Sequence, residues 1–253
     1  MIQEVFHTYL KNHFIYSKLT DEQVKFVYPF IRYKLLKKGQ QLFSKDSNNH
    51  LSLVLNGKMK LIDCNDPENF FIKDLLYSGD FFGDVTLSYQ NQPGEFVQAL
   101  VNNTLVCSCP VQKVRELITV YPELALLFAS YLGYKLKAIQ RRYTIFANRD
   151  ARERLIHFFK TSAKAEGKIK DGKILLEHSL TINEISDFIA VSRQTVYTLL
   201  KQLKASNHID WKRDRIEVCP SLFQPAHLSL KGGIHLKTGG DVKNFTSAND
   251  RAP

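Results

Sequence analysis

Apolar residues are spaced in different ways along this chain, and the changes of spacing divide it. From about residue 31 to 110 they come in short runs: YKLLKKGQQLF, LSLVLNGKMKLIDC, FFIKDLLYSGDFFG and EFVQALVNNTLVCSCP. Turn residues at Gly39, Asn56-Gly57, Asp66-Pro67, Gly79-Asp80 and Pro93-Gly94 punctuate these runs, the rhythm of a β-sandwich or barrel. Asn56-Gly57, between LSLVL and KMKLI, is a strong hairpin signal. Ahead of this stretch residues 1–30 read as helical, with Ser17–Asp21 opening a second short helix.

After Pro110 the period becomes helical. VQKVRELITVY is a short helix, and Pro122, suited to a first turn, opens the run PELALLFASYLGYKLKAIQRRYTIFA. Roughly 24 residues of helix span about 36 Å, long for an internal helix of a small domain. Its stripe of Leu124, Leu127, Phe128, Tyr131, Leu132, Ala138, Ile139 and Ile145 is too wide for one neighbour. One side is expected to pack on the β-region, and the other to form a two-stranded coil with a second copy.

Asn148-Arg149-Asp150 is a break and cap before the amphipathic run ARERLIHFFKTSAKA, and EGKIKDGKILLE gives a polar turn and a strand. Thr181 to Glu184 is a capping box that opens ISDFIA, whose buried face is Ile185, Phe188 and Ile189. A tight turn at Ala190-Val191 follows, and Ser192 can cap the next helix. That helix buries Val196, Leu199, Leu200 and Leu203 and turns Arg193, Gln194, Tyr197, Thr198 and Lys201 outward, with no acid among them. HIDWKRDRIEVC then makes two short strands with the cationic tip Lys212-Arg213-Asp214-Arg215. Helix, turn, helix and basic hairpin make a winged helix-turn-helix. Beyond about Gln224 periodicity is lost; HLSLKGG and IHLKTGG are too few units for a repeat fold, and the end reads as a flexible tail.

Charge sharpens this division. The 253 residues carry a net charge of +10, yet residues 1–110 hold 11 basic and 11 acidic side chains. The excess therefore lies wholly in the C-terminal part, as expected of a surface that meets a polyanion. No run approaches a membrane span, and the N-terminus lacks a signal-peptide core, so the expected compartment is the cytoplasm, with no membrane partner. Four cysteines without C-x-x-C spacing are no disulfide scaffold.

In a helix-turn-helix the first turn of the second helix points into the major groove. The Arg193 fork suits guanine O6 and N7, and Gln194 suits adenine or a cytosine amino group. Thr195 and Ser192 can reach phosphates, while Lys201, Lys212, Arg213 and Arg215 would neutralise backbone charge; Thr181 and Thr198 complete the candidate DNA-contacting set. Ala190 stands where the inter-helix turn favours glycine; a positive φ there would cost about 1 kcal/mol.

At this point the layout resembles the CRP/FNR family of bacterial transcription regulators. The likeness runs over roughly residues 10–220 and rests on GQQLF, LNGKMKL, GDFFGD and LTINEISDFIAVSRQTVYTLLKQL, with the Ser192 to Val196 run its most specific piece. It implies an α+β chain: an N-terminal double-stranded β-helix, or β-roll, sensor domain (1–120), a central dimerisation helix (121–147), a winged helix-turn-helix (148–223) and a tail (224–253). It further implies a homodimer on a palindromic duplex, with RNA polymerase a candidate further partner. Gln194 stands where the family usually has Glu, and Thr198 where a second arginine often sits.

The likeness places the effector pocket at Phe82, Gly83, Asp84, Val85, Glu95 and Phe96. Cyclic-nucleotide-binding members hold the phosphate with an Arg-Ser pair, where this chain has Gly94-Glu95-Phe96. No Lys or Arg falls between Lys73 and Lys113, whereas Asp74, Asp80, Asp84 and Glu95 do. A phosphate set against those carboxylates would be repelled, so cyclic AMP is not the expected effector and no cofactor is assigned. The first 63 residues lack the cysteines that hold an iron–sulfur cluster in the oxygen-sensing branch. Cys107 and Cys109 face one side of a strand, as a thiol sensor or as ordinary buried residues. His50, alone in the β-region, is thin support for haem and too little for a metal oxygenase or isomerase. No catalytic or metal set emerges, so an enzyme is not expected. The competing class is a dimeric sensory or scaffold module whose helix-turn-helix contacts protein rather than DNA.

Overall fold

The computed structural model describes residues 13, 15–43, 49–64, 70–87, 94–177, 179–212 and 215–224. The Asp66-Pro67 turn, Pro93, Arg213, most of the first fourteen residues and the tail from residue 225 lie outside the described residues. Helix α1 (Asp21–Val27) is opened by Thr20, whose hydroxyl accepts from the Gln23 N–H while the Gln23 side chain accepts back from Thr20.

Eight strands follow: β1 (Arg32–Leu36), β2 (Gln41–Phe43), β3 (His50–Asn56), β4 (Lys58–Asp63), β5 (Phe71–Tyr77), β6 (Phe81–Gly83), β7 (Glu95–Ala99) and β8 (Thr104–Pro110). They form two four-stranded antiparallel sheets, ordered β1-β8-β3-β6 and β2-β7-β4-β5. The hairpin expected at Asn56-Gly57 is corrected here. The turn exists, but β3 pairs with β8 and β6 whereas β4 pairs with β5 and β7, so the chain changes sheets. Gly57 has φ +96°, and a Cβ there would lie 2.6 Å from Thr104 Oγ1. The glycine makes a corner pressed against the start of β8, which local turn chemistry cannot distinguish from a hairpin.

Leu36, Val54, Phe82 and Val106 from one sheet meet Met59, Leu76, Val97 and Ala99 from the other and fill the roll. Leu51, Leu53 and Cys107 face outward from the first sheet and pack with Ile15 and with the helices that follow.

Those helices are α2 (Val111–Val120), α3 (Glu123–Asn148) and α4 (Ala151–Glu166). Half of the stripe proposed for dimerisation is used within the chain. Leu124 and Tyr131 are buried, Leu127 and Phe128 pack on the chain's own clusters, and the Tyr131 hydroxyl accepts from the Phe81 N–H at 2.9 Å. Leu132, Ala138 and Ile139 are exposed and Ile145 is half-buried. The wide stripe had merged two faces. The outward one reads Ala125, Ala129, Leu132, Leu136, Ile139 and Tyr143, alternating steps of four and three.

The C-terminal part is built from β9 (Lys168–Lys170), β10 (Lys173–Glu177), α5 (Ile182–Ile189), α6 (Arg193–Ala205), β11 (Ile209–Trp211) and β12 (Arg215–Val218), with sheet order β11-β12-β10-β9. EGKIKDGKILLE thus gives two strands around Asp171-Gly172, where one was expected. Leu155, Phe159, Ile185, Ile189, Val196 and Leu203 form its core, joined by Ile72, Leu75, Leu100 and Val101 of the roll. Two ion pairs from β4 reach the same side: Lys58 to Glu166 and Lys60 to Glu184.

Candidate nucleic-acid interface

Three caps set the helices of the C-terminal part. Asp150 accepts from the Glu153 N–H (2.8 Å) and starts α4. Thr181 accepts from the Glu184 N–H (3.2 Å), and the Glu184 carboxylate accepts from the Thr181 N–H (2.7 Å) and hydroxyl (2.9 Å), completing the expected box on α5. Ser192 accepts from the Thr195 N–H (3.1 Å) and starts α6. Between α5 and α6 the backbone turns through Ala190 at φ 52°, ψ 54°, the left-handed region that the position suggested. Arg154 braces this turn: it donates to the carbonyls of Ala190 (3.2 Å), Phe146 (2.7 Å) and Arg149 (3.0 Å).

On α6 the apolar side lies inward as its spacing requires, with Val196, Leu200 and Leu203 buried and Leu199 half-buried. Arg193, Gln194, Thr198 and Lys201 are exposed on the other side. Arg193 and Lys201 have no carboxylate partner among the described residues. Some hydroxyls are already engaged: Ser192 and Thr195 bond each other at 2.8 Å, and Thr198 donates to the Gln194 carbonyl at 2.9 Å. Tyr197, noted as polar-facing but not placed in the candidate set, is 46% exposed, and the Lys201 ammonium lies 4.6 Å from its ring centre. Its place one turn after Arg193 was the signal that could have found it.

The wing differs from its simple reading as a free cationic tip. Lys212 (2.5 Å), Arg215 (3.1 Å) and Lys173 (3.2 Å) converge on Glu217, and their hydrogen bonds hold its carboxyl down at about 2. Lys212 also lies 3.8 Å from Asp210. Part of the wing's positive charge is thus answered within the chain.

The six sensor residues lie in different packing environments. Phe82 is packed inside the roll, and Val85 packs with the outer cluster. Gly83 ends β6 at φ +86°, Asp84 accepts from the Thr86 hydroxyl (2.7 Å), and the Phe96 ring meets Phe70 edge-on. Glu95 is paired with Lys73. The expectation of uncompensated carboxylates is corrected too. Lys135 lies 3.0 Å from Asp80 and 3.6 Å from Asp74, and Arg142 lies 3.7 Å from Asp74. These cations arrive from α3, outside the stretch in which charge was counted. Among the described residues no group of three or more His, Cys, Asp or Glu could hold a metal, and no helix is long and apolar enough to cross a membrane.

A two-sheet roll, a long helix with an outward apolar seam and a capped helix-turn-helix with a wing are the parts of a DNA-binding transcription regulator. Residues 153–220 match the Crp-like helix-turn-helix domain family. The chain is 22% identical over 206 residues to the probable transcriptional regulator flp of Lacticaseibacillus casei, covering 81% of this chain and 90% of that one. It is 24% identical to the global nitrogen regulator of a Synechocystis strain, covering 70% and 79%. Its fold is shared with a CooA mutant from Carboxydothermus hydrogenoformans, with a TM-score of 0.61 at 23% identity over 81% of this chain and 94% of that one. Residues 153–220 thus carry a Crp-like helix-turn-helix domain, and the chain as a whole is similar to CRP/FNR-type transcription regulators.

Proposed function

We propose that the protein acts as a homodimer that reads a palindromic operator through α6, one recognition helix per half-site. The observation that carries this reading is the acid-free outer side of α6, where Arg193 and Lys201 stand without a carboxylate partner among the described residues. Arg193 would donate its fork to guanine, Gln194 and Tyr197 would meet neighbouring bases, and Lys201, Arg213, Arg215 and Lys212 would face phosphates. Thr181, Ser192, Thr195 and Thr198 complete the set, with Thr181 and Ser192 acting chiefly as helix caps.

The seam Ala125, Ala129, Leu132, Leu136, Ile139, Tyr143 supports pairing of α3 with its copy, since six exposed positions at heptad spacing are costly to leave in water. On this reading residues 1–120 sense, 121–147 dimerise, 148–223 bind DNA and 224–253 form a tail, and the protein works in the bacterial cytoplasm beside RNA polymerase. The effector is not cyclic AMP on this reading: Gly94-Glu95-Phe96 stands where the family's phosphate-holding pair would be, Lys73 is committed to Glu95 and Asp63, and Lys135 and Arg142 are engaged by Asp74 and Asp80. A selection of bound duplexes from a random pool, with purified protein and no added ligand, tests the reading. An enriched palindrome with a guanine in each half supports it. A bound sequence without two-fold symmetry, or no duplex binding even at low salt, overturns it and leaves the protein-contacting module.

A further inference from the structure

The outer side of α6 leaves its cations open, and the outer face of the neighbouring sheet does the reverse. Side chains alternate along β12, so Ile216 and Val218 point into the core while Arg215 and Glu217 point away from it. Glu217 lies opposite Leu175 of β10 on one side and Asp210 of β11 on the other. Lys173 opens β10, and Lys212 and Arg215 flank the wing tip, where the Lys212 N–H donates to the Arg215 carbonyl at 2.9 Å. Three neighbouring segments thus each bring one cation to a single carboxylate.

That carboxylate is saturated. Its Oε1 accepts from Lys212 (2.5 Å) and from Arg215 Nε (3.1 Å), and its Oε2 accepts from Lys173 (3.2 Å). The Glu217 side chain is 10% exposed, whereas those of Lys173, Lys212 and Arg215 are 51%, 39% and 42% exposed. The acid is enclosed by cations that themselves still reach water. Sheet pairing gives no reason for an acid there, because a carboxylate directly opposite Asp210 is unfavourable. Two anionic oxygens ringed by lysine and arginine N–H groups is, however, the arrangement such cations give a DNA phosphate.

We propose that Glu217 is an affinity-setting residue that stands in for a DNA phosphate and holds Lys173, Lys212 and Arg215 back from the duplex. It acts through those cations and touches no base. It therefore damps binding to every sequence alike and leaves the base contacts of α6 a larger share of the binding energy. The inference rests on the DNA-binding reading given above and goes beyond it by giving an acid a part in the interface.

The test uses the full chain and a random-sequence duplex of about three helical turns, followed by fluorescence anisotropy between about 0.05 and 0.2 M salt. Glu217→Gln keeps the shape and removes the charge. It should steepen the slope of log affinity against log salt by about one unit per wing and tighten binding roughly eightfold per wing at about 0.1 M salt. Lys212→Ala should flatten the slope by well under one unit in the otherwise unaltered protein, but by about one unit per wing in the Glu217→Gln background. An unchanged or shallower slope in a cooperatively folding Glu217→Gln overturns the proposal, even where its urea midpoint moves, since that is the mark of a purely structural acid. A full unit lost per wing on Lys212→Ala alone also overturns it, whether or not Glu217→Gln folds. Lack of duplex binding by the unaltered protein at low salt overturns the DNA-binding reading and the proposal together. Binding that both variants leave unmoved overturns the proposal only.

Discussion

The surface where the roll meets the C-terminal part and the outer side of α6 treat charge in opposite ways. At the first, nearly every charge is answered: Lys58 by Glu166, Lys60 by Glu184, Lys73 by Glu95, and Asp74 and Asp80 by Lys135 and Arg142. On α6, Arg193 and Lys201 are left without an acid among the described residues. The same chain that brings partners together across a hundred residues leaves these two cations open. Net charge alone would not separate the regions; pairing does. The wing lies between the extremes, because Glu217 gathers three cations there.

The comparison breaks first at its most buried pair. The Lys58 side chain is 6% exposed, so Lys58→Ala strands the half-buried Glu166 carboxylate. It should lower stability by about 3 kcal/mol in urea unfolding; a loss near zero would mean that the pair is no fixture of the fold. Arg193→Ala should leave stability unchanged but cost about 1–3 kcal/mol of operator binding and relax one base pair. Lys212→Ala should weaken all sequences alike and flatten the salt slope by well under one unit, because Lys212 is already shared with Glu217. A full unit in a salt titration would show that the wing's pairing opens on DNA.

Two smaller effects sharpen the picture. His13 is buried, its Nε2 lies 2.9 Å from the Gly79 carbonyl, and its Nδ1 accepts from the Ile15 and Tyr16 N–H groups. Burial lowers its pKa below 6.5, with Gly79 and Asp80 opposing in part. The folded chain therefore resists a proton that the unfolded chain takes up. Stability is present above 6.5 and is lost as pH falls from there towards the folded value. His157 is lowered too, by burial and by nearby Lys160, Arg141, Lys164 and Arg142, and adds in the same direction. Urea midpoints at pH 7.5 and 5.5 should show the fall, and His13→Gln should reduce it. Last, Ala190→Gly should raise stability by about 0.5–1 kcal/mol, since glycine accepts the positive φ without a Cβ clash.

What was legible in the sequence was whatever depends on near neighbours. The capping box at Thr181, the buried stripe of α6, the cap at Asp150 and the αL turn at Ala190 each involve residues within a few positions of one another. Sheet membership is not of that kind: β3 and β4 are separated by Gly57 alone and part because their partners lie far downstream in different strands, Val54 facing Val106 of β8 and Leu61 facing Val97 of β7. The same holds for Lys135 and Arg142, which answer acids from another element. The α3 stripe was readable as apolar, but only the packed roll tells its inner half from its outer.

Arg154 carries a mechanical consequence. A two-residue junction between two helices, here Arg149-Asp150, would ordinarily act as a swivel that absorbs any twist applied above it. Here one guanidinium is nailed to the end of α3, to the junction and to the turn between α5 and α6. With that bracket in place α3 and the reading head form a single lever, and a small rotation along the seam arrives at α6 as displacement rather than as slack.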